Sequence, residues 1–207
     1  MEPVTLTTGR LRLRAVGPAD TEAVYEAAQD PDIQRWTTIP SPYLPEHARG
    51  FTEEMVPGGW AHGSMFTWGI FLAGGELAGM LSLTMRAPAA AEVGFWATKE
   101  HRGLGHVTEA VLAACRWIFT DLGVDRVEWR AEVGNHGSRG VAERAGFTLE
   151  GTLRSAINNK GAPGLLDRLP AALGPRPAVH RPLPAGAGSV NRTSGRDCQW
   201  HPLSSGA

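Results

Sequence analysis

Lysine is almost missing from this 207-residue chain: Lys99 and Lys160 are the only two, and arginine carries the rest of the positive charge. With so much Ala, Gly and Pro alongside, that bias points to a GC-rich genome. Basic and acidic residues nearly cancel, 20 against 21, for a formal net charge of -1, which argues against nucleic acid held through a broadly basic surface but leaves room for a local patch. The two cysteines, Cys115 and Cys198, stand far apart and without metal-ligand spacing, so a disulfide scaffold and a zinc site are not indicated. Such cysteine usage fits a reducing cytoplasm. No apolar run approaches the roughly 18 residues of a membrane span, and Met1 to Thr5 lacks the charged-then-apolar layout of a signal segment. The expectation is a soluble, cytoplasmic protein with no metal, no membrane and no nucleic-acid partner, a monomer or homodimer. At 42% hydrophobic content the chain can bury one good-sized core, and its length does not require a second domain.

The densest signal is Arg102-Gly103-Leu104-Gly105-His106-Val107, where two glycines sit between the apolar strand Glu92 to Thr98 and a helix starting near His106. A turn of this kind directs several backbone N–H groups, backed by the positive end of the helix, at one small volume. That volume suits a pyrophosphate. Glycine is required where a Cβ would block a left-handed turn or the close approach of backbone to a phosphate oxygen. A plain Gly-rich connection is the alternative.

Along the chain, Leu11, Leu13 and Ala15 alternate with arginines and predict a half-buried strand. Pro18 and Asp20 open a helix bearing Ala23, Val24, Ala27 and Ala28, and a second helix is predicted over Glu46 to Met55, ended by Pro57-Gly58-Gly59. Met65 to Leu72 and Leu77 to Thr84 flank the turn pair Gly74-Gly75 as a hairpin. The helix from His106 to Leu122 places Ala110, Val111, Ala114, Trp117 and Ile118 on one face, with Gly123 after its end. A strand through Val127, Trp129 and Ala131, a short helix from Ser138 to Ala145 and a strand from Phe147 to Arg154 follow. The order β-α-α-β-β-β-α-β-α-β predicts a mixed α+β, three-layer fold with the glycine turn at the C-terminal end of a central strand, where open sheets bind ligands. Trp60, Trp68, Trp96, Trp117 and Trp129 are expected in the core.

The string Ala91 to Thr98, then Arg102 to Ala110, then Asn135 and Ser138 ahead of Ala145-Gly146-Phe147, resembles the GCN5-related N-acetyltransferase (GNAT) superfamily, and within it the bacterial RimJ/RimL-type branch. The likeness runs from about Leu6 to Lys160. It implies a central, mostly antiparallel sheet splayed at the cofactor site, acetyl-CoA as the acyl donor, and a primary amine as acceptor: a protein N-terminus, such as that of a ribosomal protein, or a small molecule. The superfamily's phosphate pattern is met by Arg102 and Gly105, while Val107 departs from it; a β-branched residue at a helix start implies weaker cofactor binding rather than none. The Walker pattern of a nucleotide triphosphate site is absent. The competing class is a catalytically silent acyl-CoA-binding or interaction protein.

Carried over residue by residue, the resemblance places Arg102, Gly103, Leu104, Gly105, His106, Val107 and Thr108 at the phosphates, with Phe95 and Trp96 on the strand that polarises the thioester carbonyl. Arg102 has a solvated-arginine alternative, and Thr108 and His106 can cap the helix without a ligand. Glu92 shares a strand face with Gly94 and Trp96, in line with the acyl tunnel, and is the candidate general base; partial desolvation would raise its pKa toward working pH. A solvated strand residue is the alternative there. Asn135 is placed to hydrogen-bond pantetheine or simply to cap a helix, and Ser138 to face the sulfur. Tyrosine occurs only as Tyr25 and Tyr43, both early, so a tyrosine acid from the Asn135 region is excluded and Ser138 or water protonates the thiolate. Trp36 and Tyr43 lie in a segment that resembles the acceptor wall, or serve as packing.

The likeness stops near Gly161. From Ala162 onward 7 Pro and 6 Gly fall within 46 residues and Trp200 is the only aromatic, so the tail is predicted to be disordered and the domain to lack the branch's last strand. That strand has the form Arg-x-Asp-x-Trp-x-x-Ser-Leu-Leu-Pro. Re-reading the codons of Ala162 to Ala172 from their second base permits Arg-Arg-Asp-Ser-Trp-Ile-Ala-Ser-Leu-Leu-Pro, which points to a change of reading frame at about Gly161 or Ala162. A strand left unpaired there would be a liability for stability.

Overall fold

The computed structural model describes residues 1–159 and 162–171. Apolar residues at alternate positions give an eight-stranded sheet: β1 (Leu6–Thr7), β2 (Leu11–Arg14), β3 (Met65–Leu72), β4 (Leu77–Ala87), β5 (Ala90–Ala97), β6 (Arg126–Glu132), β7 (Gly151–Asn159) and β8 (Ala162–Ala171). Its order is β1-β2-β3-β4-β5-β6-β8-β7, antiparallel throughout except between β5 and β6. The helices are α1 (Thr21–Ala27), α2 (Pro31–Trp36), α3 (Pro45–Gly50), α4 (Val56–His62), α5 (His106–Asp121) and α6 (His136–Arg144). A mixed α/β fold results, as the sequence predicts.

The parallel pair is short. Ala90 to Val93 face Arg126 to Trp129, and beyond that point β5 keeps only β4 while β6 keeps only β8. The strands therefore open into a V, and the facing edges beyond Val93 and Trp129 have backbone groups available to a ligand. The link between them is α5, whose Ala110, Val111, Ala114 and Ile118 are fully buried against the sheet. Small alanines let the helix lie close, so its N-terminus arrives at the mouth of the V.

Beside α5 the core is aromatic. Trp60 of α4, Phe66 and Trp68 of β3 and Trp117 of α5 pack with ring centroids 5.0–5.8 Å apart, mostly edge to face. The Trp60 and Trp68 indoles donate to the Thr67 and Val4 carbonyls, so neither buries an unmet N–H.

Four expectations change. Pro57-Gly58-Gly59 does not end the second helix: a π-helical turn, Phe51–Met55, joins α3 to α4, and Gly63 at φ 64° ends the run. Because the Val56 N–H reaches back to the Phe51 carbonyl, the chain is wide enough there to take the ring and missing donor of Pro57. The segment before it holds a short helix, α2, started by Asp30, whose side chain accepts from the Asp32 and Ile33 N–H groups, with Pro31 at the first position. The strand predicted from Phe147 begins only at Gly151, since Phe147 is buried in the core directly after α6. Finally, Ala162–Ala171 is a strand, seated between β6 and β7, where the composition predicted none. The tail predicted to be disordered lies, from residue 172 on, outside the described residues.

Candidate functional site

A cavity of about 1460 Å³ fills the V and continues toward α2 and α3. Of the predicted site residues it brings together Trp36, Tyr43, Glu92, Phe95, Trp96, Arg102, Gly103, Gly105, His106, Val107, Thr108, Asn135 and Ser138. Leu104 is not among them. Its side chain is exposed, and its carbonyl is held by Arg10 at 3.1 Å, which turns this residue away from the cavity.

At the deep end of the turn, Gly103 and Gly105 adopt φ 75° and 79°, the left-handed region that a side chain disfavours. The first bond of α5 runs from the Glu109 N–H to the Gly105 carbonyl, so the N–H groups of the residues just before Glu109 have no helical partner. Two buried side-chain atoms beside them, His106 Nδ1 and Thr108 Oγ1, also lack hydrogen bonds among the described residues. A helix N-terminus with free N–H groups is a setting in which anions are commonly bound. Burial, together with the charges of Arg10 and His101, pushes the His106 imidazole below the usual histidine range, against the pull of Glu109. Val107 is 6% exposed and packs into the core, so its branched side chain faces away from the ligand and only its N–H bears on the turn.

The turn is held from both flanks. On one side Arg10 binds the Leu104 carbonyl and Glu109, whose carboxylate also accepts from Thr8. Burial raises the Glu109 pKa, but the hydrogen bonds from Thr8 and Arg10 outweigh it and hold the group below the usual carboxylate range. On the other side Arg102 is not a free cation awaiting phosphate: its guanidinium is paired with Asp30 at 3.0 Å and Asp32 at 2.9 Å. Sequence reasoning missed this because it had no helix at Pro31 to carry those carboxylates.

Across the arms of the V, arginines and glutamates alternate. Glu92 on β5 stands opposite Glu128 on β6, an arrangement that would repel if left alone. Arg126 at 2.9 Å and Arg130 at 2.8 Å neutralise the buried Glu128, while Glu92 takes Arg86 at 3.0 Å and Arg130 at 3.6 Å. Glu92, expected as either a partly desolvated base or a solvated strand residue, is instead held by two guanidinium groups. Both contacts use Oε2, and Oε1 accepts no hydrogen bond among the described residues. Arg130 carries no sequence signal beyond alternation with Glu128 and Glu132, and Arg86 carries none.

Asn135 caps α6, its Oδ1 accepting the Ser138 N–H at 3.1 Å, as the capping alternative requires. The Ser138 hydroxyl accepts from the Trp129 indole at 2.9 Å. Of the predicted core tryptophans, Trp96 is the one only partly buried, and it and the buried Trp129 line the cavity. Trp36, Ile39 and the buried Tyr43 also line the cavity, as do Glu46, Gly50 and Glu54, and Tyr43 packs on α3 with its ring 5.6 Å from that of His47. Burial raises the Tyr43 phenol above its ordinary value, so it stays protonated.

Cys115 is buried and its thiol is pushed up to about 12 by that burial, which removes it as a nucleophile. Among the described residues no group of His, Cys, Asp and Glu is arranged to hold a metal, and no helix is long and apolar enough to cross a membrane.

Residues 10–148 match the model of the acetyltransferase (GNAT) domain family. YdaF of Bacillus subtilis (strain 168), which carries the provisional name ribosomal N-acetyltransferase, is 31% identical over 158 residues, 73% of this chain and 85% of that protein. A ribosomal-protein-serine acetyltransferase of Escherichia coli (strain K12) is 34% identical over 83 residues, 39% of this chain and 46% of its own length. The fold recurs in the solved structure of RimL, a ribosomal L7/L12 alpha-N-protein acetyltransferase in complex with coenzyme A, at TM-score 0.74 and 22% identity, with 81% of this chain and 97% of that one covered. An opened β5–β6 pair with a glycine turn at the head of α5, joined to these likenesses, identifies the chain as a member of the GCN5-related N-acetyltransferase family, enzymes that move an acetyl group from acetyl-CoA to an amine.

Proposed function

We propose that the chain acetylates the α-amine of a protein N-terminus, with acetyl-CoA lying in the V. The observation that supports this most is the set of N–H groups without a helical partner at the head of α5, beside His106 Nδ1 and Thr108 Oγ1, which make no hydrogen bond among the described residues; the diphosphate of the donor would lie against them. Gly103, Gly105, His106, Val107 and Thr108 hold that diphosphate, and Asn135 supports the pantetheine arm beside β6. The open edge of β5 at Phe95 and Trp96 donates to the thioester oxygen as charge develops on it. What acetyl-CoA supplies is an acyl group on a good leaving sulfur.

Glu92, through Oε1 and a bridging water, takes the proton released when the ammonium group of the acceptor becomes the attacking amine. As the new C–N bond forms and the C–S bond breaks, the nitrogen gives up its second proton to solvent through the same water, and the Ser138 hydroxyl gives its proton to the departing sulfur and recovers one from solvent. Trp36 and Tyr43 form the wall against which the acceptor lies. Residues of α2, α3 and the π-helical turn line that end of the cavity. The relatives named for ribosomal proteins favour the same acceptor, in the cytoplasm.

Free-thiol release with a panel of N-terminal peptides and small amines tests this. Peptides with a free α-amine should be turned over and α-blocked peptides should not, and Glu92→Gln should lose most of the rate. Preference for small amines would replace the acceptor assignment, and an unchanged Glu92→Gln would remove the base. Coenzyme A binding without any turnover would favour the silent acyl-CoA-binding protein.

We also retain the frame change near Gly161 as a proposal. The strand β8 is central, yet it carries Pro163 and Pro170, the latter opposite Glu128 of β6, where proline has no N–H to give the ladder. A central strand position filled by residues unsuited to it is what a shifted frame over a strand-forming segment would leave.

A further inference from the structure

We infer that Trp129 is a positioning residue for the acyl transfer: its indole N–H fixes the Ser138 hydroxyl so that the hydroxyl's own proton points to the cavity. The inference rests on the reading of Ser138 as the group that protonates the sulfur. An indole nitrogen can only donate, whereas a serine hydroxyl can both donate and accept. The 2.9 Å contact from Trp129 Nε1 to Ser138 Oγ therefore has one sense, with serine as acceptor. With the indole N–H on one side of Oγ and no acceptor for the hydroxyl among the described residues, the O–H is left to the cavity that Ser138 lines.

The geometry around this pair is fixed on both sides. Trp129 is 2% exposed in β6 and is the last residue of that strand to pair with β5, opposite Val93, at the point where the V opens. Ser138 sits in the first turn of α6, its own N–H taken by the Asn135 cap. A buried strand thus delivers the donor and a capped helix delivers the acceptor, and both residues line the cavity. Donation into Oγ also polarises the O–H bond in the direction that makes it a better acid, since linked hydrogen bonds strengthen one another. The other buried tryptophans with a described indole bond, Trp60 and Trp68, donate to backbone carbonyls instead.

A double-mutant cycle separates this role from packing. Replacing Trp129 with 3-benzothienylalanine exchanges the indole N–H for sulfur at equal size, and Trp129→Phe serves as the genetically simple version. Each is made in the parent and in Ser138→Ala, with Trp60→Phe as a core control. The expected result is a fall in kcat of about three- to tenfold for either Trp129 variant, with the coenzyme A Kd within twofold of the parent and no further fall in the Ser138→Ala background. Trp60→Phe should lower Tm without changing kcat. An unchanged kcat in the benzothienyl variant, or an equal loss in both backgrounds, overturns the inference while leaving Ser138 in place. An unchanged kcat in Ser138→Ala overturns the reading of Ser138 itself, and the inference with it.

Discussion

The guanidinium of Arg102 lies 3.0 Å from the carboxylate of Asp30, the same carboxylate that caps α2. One ion pair thereby ties the glycine turn before α5 to the helix that carries Trp36. At its other end α2 presents Arg35, which binds Glu132 of β6 at 2.6 Å and stacks over Trp36. The helix is fastened to the turn after β5 and to the end of β6, and so bridges the two arms of the V.

From that arrangement Arg102 acts chiefly by holding the turn. Asp30→Asn keeps a capping oxygen but removes the charge, so it should raise the coenzyme A Kd several-fold and reproduce most of the loss expected of Arg102→Ala. Titration calorimetry on both variants checks this. Tighter binding in Asp30→Asn would show instead that the aspartate competes with phosphate for Arg102.

Gly79 faces the site from behind. A Cβ there would lie 2.4 Å from the Trp96 carbonyl, a backbone atom that cannot swing aside, so β5 itself would have to move. Gly79→Ala should cost about 1–3 kcal/mol in thermal or denaturant unfolding, as overpacked cores do, and should weaken coenzyme A binding as well. Gly94→Ala on the same strand meets open space and should leave stability nearly unchanged.

Stability should fall in acid, in two stages. His106 is held below its ordinary value, first by burial, so the unfolded chain takes up a proton near pH 6.5 that the folded chain refuses; Tm should begin to fall there. Asp20 is depressed by its hydrogen bonds from Arg14, and Asp30 by those from Arg102 and two N–H groups, which outweigh burial. Their contribution is complete above about pH 4 and is lost as pH falls through the depressed folded values. A Tm scan from pH 8 to 3 checks both, with His106→Gln flattening the upper stage and Asp20→Asn the lower. Asp20→Asn should also lose about 1–3 kcal/mol at neutral pH, because Arg14 then keeps a half-buried charge with no counter-ion.

The coding sequence decides the reading of the chain's end. Codons 162–172, taken from their second base, should yield Arg-Arg-Asp-Ser-Trp-Ile-Ala-Ser-Leu-Leu-Pro, and a chain with the frame restored should melt higher. Codons that cannot give that peptide dispose of the proposal.

Much of this architecture could be read directly. Alternation at Leu11 and Leu13, the Gly74-Gly75 hairpin and the three-four spacing on α5 each reflect burial of a single face, which sequence period reports well. What sequence could not show was who pairs with whom. Arg102 looked like a phosphate ligand because Asp30 and Asp32 lie 70 or more positions away, and Glu92 looked isolated because Arg86 and Arg130 reach it only once β4, β5 and β6 are side by side. A proline signal misled at Pro57, which a π-helical turn accommodates, while the helix start at Asp30-Pro31 went unread. Strand β8 was missed because tertiary pairing with β6 and β7 outweighs a composition poor in strand formers.

The account stands most directly on the turn at the head of α5. Titration of acetyl-CoA into the parent chain and into Gly105→Val, with a melting curve to show that the variant is folded, tests it in one measurement. Gly105 is at φ 79°, where valine is strained, and the turn cannot keep its shape around such a side chain. One equivalent of acetyl-CoA bound by the parent, with loss of at least tenfold in affinity by a folded variant, is the predicted result. Failure of the parent to bind, or undiminished binding by the variant, would contradict the placement of the donor in the V.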